Sequence, residues 1–356
     1  IMNKLTKVGC SALCGSLAAI AGANAGDLTA TGSAQTTWMS KGGDVTGNPI
    51  GFNSGFSLIG NGELDNGWTY KMTLAHTDAG AWSAASLNMD MGGLGALRLD
   101  QGTSGNGVAA MDDKMPTAWE EAWGAGLSTG IRGLVVGAGA SMNVQYTTPT
   151  VVGTTITLTY APQHGVTDTA EKNTAVNGTA AGSAYDATIN INPSLGTEIL
   201  SGLNVFGGAT TVEYYGGAVA DTYQAVAGIT YAIGPVSIGT QVSGEYTGYD
   251  DSSNNSSDVG KNNLYKANAF GIAFNVNDNL SVSYGEWESR KSGYTDRTYS
   301  QIDESLRTIT VKSTQISYSM GGATINLADI TADNTYFGTA VGDDKKATVI
   351  SLGLAF

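Results

Sequence analysis

One feature constrains the fold more than any other. Apolar and small polar residues alternate, position by position, in short runs along most of the chain. At the C-terminus Ile350, Leu352, Leu354 and Phe356 share one side, and Ser351, Gly353 and Ala355 the other. Val236, Ile238, Val242 and Tyr246 alternate with Ser237, Gly239, Gln241, Ser243 and Glu245. Trp68, Tyr70, Met72 and Leu74 alternate with Thr69, Lys71 and Thr73, and Tyr185, Ala187, Ile189 and Ile191 with Asp186, Thr188, Asn190 and Asn192. A period of two belongs to a strand, whose successive side chains point to opposite faces of a sheet. The pattern predicts an all-β chain whose sheet has one apolar and one polar face.

The connections between runs come in two kinds. Leu64–Gly67, Gly92–Gly95, Gly234-Pro235, Asn277–Asn279 and Gly321-Gly322 are short and carry the Gly, Asn and Asp of hairpin turns. Asp250–Asn263, Pro162–Gly182 and Lys291–Glu304 are long and polar. Short turns at one end and long loops at the other describe a membrane-spanning barrel, and about 16 runs fit its even strand number. They begin near Asp27, Gly51, Gly67, Ala81, Gly95, Leu134, Val151 and Ser183. The rest begin near Leu200, Asp221, Pro235, Leu264, Asn279, Ser305, Ala323 and Lys345.

Composition decides which face is wet. Charged residues make up 13% of the chain, against about a quarter in soluble proteins. Mean hydropathy is nevertheless only −0.06, and beyond the N-terminus no apolar run is long enough for a membrane helix. The polar face is mostly uncharged Thr, Ser, Asn, Gln and Gly, as suits a water-filled lumen. Aromatics such as Trp38, Trp68, Trp82, Tyr160, Tyr231 and Tyr318 fall near strand ends, where interfacial girdles belong.

The first 25 residues read as a secretory leader: Lys4 and Lys7, a small apolar stretch Val8–Gly22, then Ala23-Asn24-Ala25 as the cleavage site. Both cysteines, Cys10 and Cys14, fall inside it, so residues 26–356 would carry no thiol chemistry. Removing the leader takes two of 17 bases and no acid, leaving 15 − 31 = −16. That balance excludes nucleic acid as a partner and admits cations.

The terminal Phe356, with apolar residues at alternate positions before it, resembles the C-terminal assembly signal of bacterial outer-membrane proteins. One stretch, 101–132, breaks the alternation and is too long for a turn. It contains Asp112-Asp113-Lys114-Met115-Pro116-Thr117-Ala118-Trp119-Glu120-Glu121. Here the chain resembles the general porins of alphaproteobacteria. The resemblance implies a barrel with a long third loop, after the fifth strand, folded into the lumen to narrow it. It also implies a homotrimer. A long second loop that latches a neighbour is not expected, because the stretch Asp78–Ala81 is very short.

Elementary chemistry gives that loop its expected form. Pro116 suits the first position of a short helix, and Glu120 and Glu121 would sit near its favourable first turn. Trp119 and Trp123, four apart, would share one face and anchor it. Asp112, Asp113, Glu120 and Glu121, with Lys114 among them, would line an opening. Lys71 and Arg98 alternate with apolar neighbours and so face inward; a base facing lipid at mid-depth costs roughly 2–4 kcal/mol. Arg132 closes the loop and would join these bases. Acids facing bases would set a field across a narrow passage and bias which ions cross.

Enzyme chemistry finds little purchase. His76 and His164 lack metal-ligand spacing, and no phosphate loop is present. Acidic loops such as Asp250-Asp251 and Asp343-Asp344 could attract Ca²⁺, but none matches an EF-hand and no site is assigned. The expectation is a passive channel for small hydrophilic solutes and ions in a bacterial outer membrane, in contact with lipid and lipopolysaccharide and without a cofactor. The alternative is a non-channel barrel: an enzyme, or a structural or adhesion protein.

Overall fold

The computed structural model describes residues 27–40, 48–77, 82–103, 105–166, 181–193, 200–214, 220–248, 262–293, 308–338 and 343–356. The expected leader lies outside these residues. Sixteen antiparallel strands follow one another around a closed barrel, in which β1 (Leu28–Met39) pairs with both β2 (Ile50–Glu63) and β16 (Lys345–Ala355). Between them run β3 (Thr69–Thr77), β4 (Trp82–Asp90), β5 (Ala96–Gln101), β6 (Met142–Thr147), β7 (Thr154–Ala161), β8 (Ala181–Ile191) and β9 (Leu203–Tyr214). The circuit continues through β10 (Thr222–Ile233), β11 (Val236–Tyr246), β12 (Asn262–Asn275), β13 (Leu280–Gly293), β14 (Thr308–Met320) and β15 (Ala323–Asp333). Closure removes the open sheet edges that an alternating chain would otherwise expose.

The short connectors after β2, β4, β10, β12 and β14 fall at one end of the barrel. Gly67, Gly92, Gly95, Gly234 and Gly321 have positive φ there, which explains why those turns carry glycine. The closing seam is also at this end: the Gly32 N–H donates to the Phe356 carbonyl at 2.7 Å and the Phe356 N–H to that of Gly32 at 3.0 Å. Among the described residues, no helix is long and apolar enough to cross a membrane.

Strand starts agree with the alternation to within about three residues, with one correction. The sixth strand does not begin near Leu134. Residues 134–141 belong to the loop after β5, which runs to Ser141 rather than Arg132, and β6 begins at Met142. Apolar residues in Leu134–Ala140 imitate a strand because they bury against the wall, as Val135 (1% exposed) and Ala138 do.

The lumen-facing and outward sets also exchange character partway up β12–β16. Near the short turns Ile316, Tyr318 and Met320 of β14 face outward and Gln315 and Ser317 inward. Higher up the same strand Ile309 and Val311 are fully buried on the inner face, and Lys312 is exposed outside. Strand phase is unchanged; what changes is the medium on each side. The inner face there packs under the long loop. Val108, Met111, Met115, Ala122 and Leu127 of the loop form one buried cluster with Phe206, Trp287, Ile309, Val311, Ile330 and Val349 of the wall.

Candidate pore constriction

The loop after β5, described at residues 102–103 and 105–141, enters the barrel and follows its inner wall outward and back. The outgoing limb starts at β8, where the Val108 N–H donates to Asp186 Oδ2 at 2.9 Å, with Gly107 N–H bonded to Gln145 Oε1. It crosses β11 and β12 at Pro116, where Gly239 and Gly271 leave room against the ring and backbone. It reaches β13 where Ala118 N–H donates to Ser283 Oγ at 2.9 Å. The returning limb bonds Ser289 and Ser243 through the backbone of Arg132 and Gly133. It ends where Ala138 N–H donates to Asp186 Oδ1 at 2.9 Å. A single carboxylate therefore ties both limbs of the loop to β8.

No helix forms at Pro116. Residues 116–123 are irregular, because wall side chains satisfy the backbone instead. Gln315 of β14, 2% exposed, accepts from the N–H groups of Trp119 and Glu120 and donates to the Glu120 carbonyl at 2.7 Å. The two tryptophans do anchor the loop: both pack on the buried cluster, and Trp123 meets Trp287 edge-on at 6.2 Å.

The loop gathers Asp112, Asp113, Lys114, Glu120 and Glu121 into one electrostatic group. Burial pushes the Glu121 carboxyl up to about 8; the bond from Met115 N–H opposes this and the neighbouring carboxylates add to it. Burial likewise lifts Asp112 to about 7, with Asp113 adding to the rise. Asp113 and Glu120 are raised chiefly by burial, and Lys114 holds Asp113 back. Like charges confined together favour protonation of some members.

Lys71 and Arg98 stand on the arc of wall that the loop's backbone does not line. Register places Asn61, Lys71, Asn88, Arg98 and Gln145 side by side across β2–β6, all on the lumen face. Their surroundings differ from expectation. Arg98 is bonded to Asp100, whose side chain is fully buried, and to Thr103 Oγ at 2.9 Å, so its charge is balanced locally. Lys71 lines a cavity of about 490 Å³ near the short-turn end with Asp27, Glu63 and Asp90. Arg132 is on the loop's own side, not across from it: it pairs with Glu245 at 3.3 Å and lies over the Tyr265 ring at 4.9 Å. The structure thus brings the acids and Lys114 together, puts Lys71 and Arg98 on the other arc, and assigns Arg132 to holding the loop.

Gln315 and Asp186 are the functional residues that alternation alone did not single out. Both sit in the polar phase of their strands, where they read as ordinary lumen lining. Length or charge among smaller neighbours (Ser313 and Ser317; Ala184 and Thr188) is the signal they carry. His76 points outward and stacks on Phe56 at 5.2 Å. His164 lies beside Asp186 and Gly137, and burial holds it below its ordinary value. Among the described residues no group of His, Cys, Asp or Glu forms a metal site.

The chain shares its closed 16-strand barrel with solved structures of porins. The chain superposes on a Salmonella typhi OmpF solved with daunomycin with TM-score 0.63, at 11% identity, covering 94% of this chain and 98% of that one. It superposes on an anion-selective porin from Comamonas acidovorans with TM-score 0.61, at 15% identity, covering 93% and 99%. A porin refined at 1.8 Å gives 0.60 at 14% identity, covering 93% and 100%. At such identities the likeness is one of fold. No family model matches the chain, and no curated protein does.

Proposed function

We propose that the chain is a porin, a passive channel that admits small hydrophilic solutes and ions across a bacterial outer membrane as a homotrimer. The observation that carries this is the loop. Some 40 residues fold into the barrel and bond along the wall from β8 to β14, and they carry four clustered carboxylates. A plug needs contacts around the whole wall; a catalytic site needs a nucleophile or metal beside a base. This arrangement needs only water and a solute. The apolar outer rows, Ile50, Phe52 and Phe56 on β2 and Ile350, Leu352 and Leu354 on β16, are exposed on the isolated chain and suit a lipid environment.

The acids sit on the loop and the bases Lys71 and Arg98 across from it, but Arg98 is offset by Asp100. Above the raised values of Asp112 and Glu121, the four loop acids outnumber Lys114 and Lys71, so the net bias at the passage is negative and cations are favoured. Planar-bilayer recording under a salt gradient tests both statements. Stepwise conductance and a cation-selective reversal potential are expected. Asp112→Asn, Asp113→Asn, Glu120→Gln and Glu121→Gln combined should move that potential toward zero. Protein that opens no pores would overturn the channel reading; an unchanged potential would overturn the role of the acids.

A further inference from the structure

The short-turn mouth of the barrel carries a charged cavity apart from the loop. β2 and β4 end there in acids, Glu63 and Asp90, just before their turns. Register sets both beside Thr69 of β3, and one row further in it sets Asn61 and Asn88 beside Lys71. Strand phase points these side chains into the lumen. Asp27 joins the inner row, because the Asn61 N–H donates to its carbonyl at 3.3 Å. Together they line the cavity of about 490 Å³, within the range of roughly 300–1,000 Å³ common for small-molecule sites. No residue of the constriction loop is among those lining it.

The charges in this cavity do not neutralise one another. Among the described residues Lys71, Glu63 and Asp27 form no ion pair, whereas Arg98 on β5 is held by Asp100. The reason is spacing. The residues directly opposite Lys71 are two amides, and Glu63 and Asp90 stand diagonal to it, about 7–8 Å away across the sheet. Asp90 gives one oxygen to the Gly92 N–H at 2.8 Å and keeps the other. Unpaired charge of both signs, with amides beside the base, is complementary to a solute that carries both signs itself. Three acids against one base leave the cavity negative, so the matching solute has more ammonium than carboxylate.

We propose that this cavity binds basic amino acids. The solute carboxylate meets Lys71 between Asn61 and Asn88, and its ammonium groups meet Glu63, Asp90 and Asp27. Each contact is a charge-assisted hydrogen bond of about 2.7–2.9 Å, and the diagonal gap between base and acids receives the head of the solute. Lys71 separates this solute from simple cations. A metal ion or a diamine would gain the acids but meet the base without a counter-charge. A neutral amino acid would leave the excess acids unmatched, and a sugar has no charge to match at all. The proposal rests on reading the barrel as a channel and adds a class of solute and the mouth at which it is held.

Ligand-detected NMR titration of the detergent-solubilised full chain tests it. The probes are L-lysine, cadaverine (the same molecule without its carboxylate) and L-alanine (the same head without the side-chain ammonium). Lysine should bind wild type more tightly than either. Lys71→Gln should weaken lysine by roughly threefold, the scale of one exposed ion pair, and strengthen cadaverine. Glu63→Gln with Asp90→Asn should remove the advantage of lysine over alanine, and Asp90→Asn keeps an acceptor for the Gly92 N–H. The proposal is overturned if cadaverine binds wild type as well as lysine does, or if Lys71→Gln leaves both unchanged. Ca²⁺ bound more tightly than lysine by wild type would assign the acids to a metal instead. Planar-bilayer recording separates the two readings. Lysine binding by protein that opens no pores would uphold the site and overturn the channel; pores without lysine preference would do the reverse.

Discussion

At the scale of single residues, burial sets the chemistry of the passage. Glu121 and Asp112 are carboxyls whose charged forms are disfavoured, so each is protonated below its raised value and ionised above it. Lowering pH from about 9 to about 6 should therefore remove negative charge from the loop and weaken cation preference. Reversal potentials at both pH values check this, and Glu121→Gln should flatten the response. The same shifts bear on stability. Because the folded state holds these protons more tightly, the carboxyls favour docking of the loop most at low pH, and that contribution is lost as pH rises through about 7 to 8. Val152 offers a different residue-level test. It holds φ 49° in the turn Val151–Thr154 beside Gly153 at 75°, a left-handed conformation costly for a β-branched side chain. Val152→Asn should stabilise the folded protein by on the order of 1 kcal/mol, read as a higher thermal transition in detergent.

At the scale of elements, the loop is held by a few wall side chains. Gln315→Leu would leave the Glu120 N–H without its acceptor, at about 1–3 kcal/mol, and the Trp119 N–H with only its longer bond to Thr117 Oγ1. Asp186→Ala would release both limbs from β8 at once. Both variants should make the loop more susceptible to protease and the open-channel current noisier, Asp186→Ala more so. Both anchors are visible in the sequence, yet nothing local distinguishes a lumen residue that meets water from one that meets a loop. The same blindness explains the misplaced sixth strand. Leu134–Ala140 is apolar because it packs on the wall, and a short apolar run does not reveal whether it is strand or buried loop. Pro116 likewise permits a helix start, but the backbone found partners on β13 and β14 and remained irregular.

At the scale of the whole molecule, closure joins ends 324 positions apart, Gly32 to Phe356. Deleting Phe356 should slow barrel assembly, measured as the folded fraction by heat-dependent gel mobility, because the seam loses both of these backbone hydrogen bonds. Strand number, turn end, loop end and the inward direction of Lys71 and Arg98 were determined by the sequence alone. Each follows from local rules: period two for strands, glycine for positive φ, and the cost of charge in lipid. The tertiary structure decided the rest. It determined that Arg98 is matched by Asp100, that Arg132 holds the loop from its own side, and that the polarity of β12–β16 inverts where the loop covers the inner wall. It also brought the four loop carboxylates and Lys114 into one group. The physical reason is the same throughout. Alternation records that two faces differ, but what lies against each face depends on residues far away in the chain.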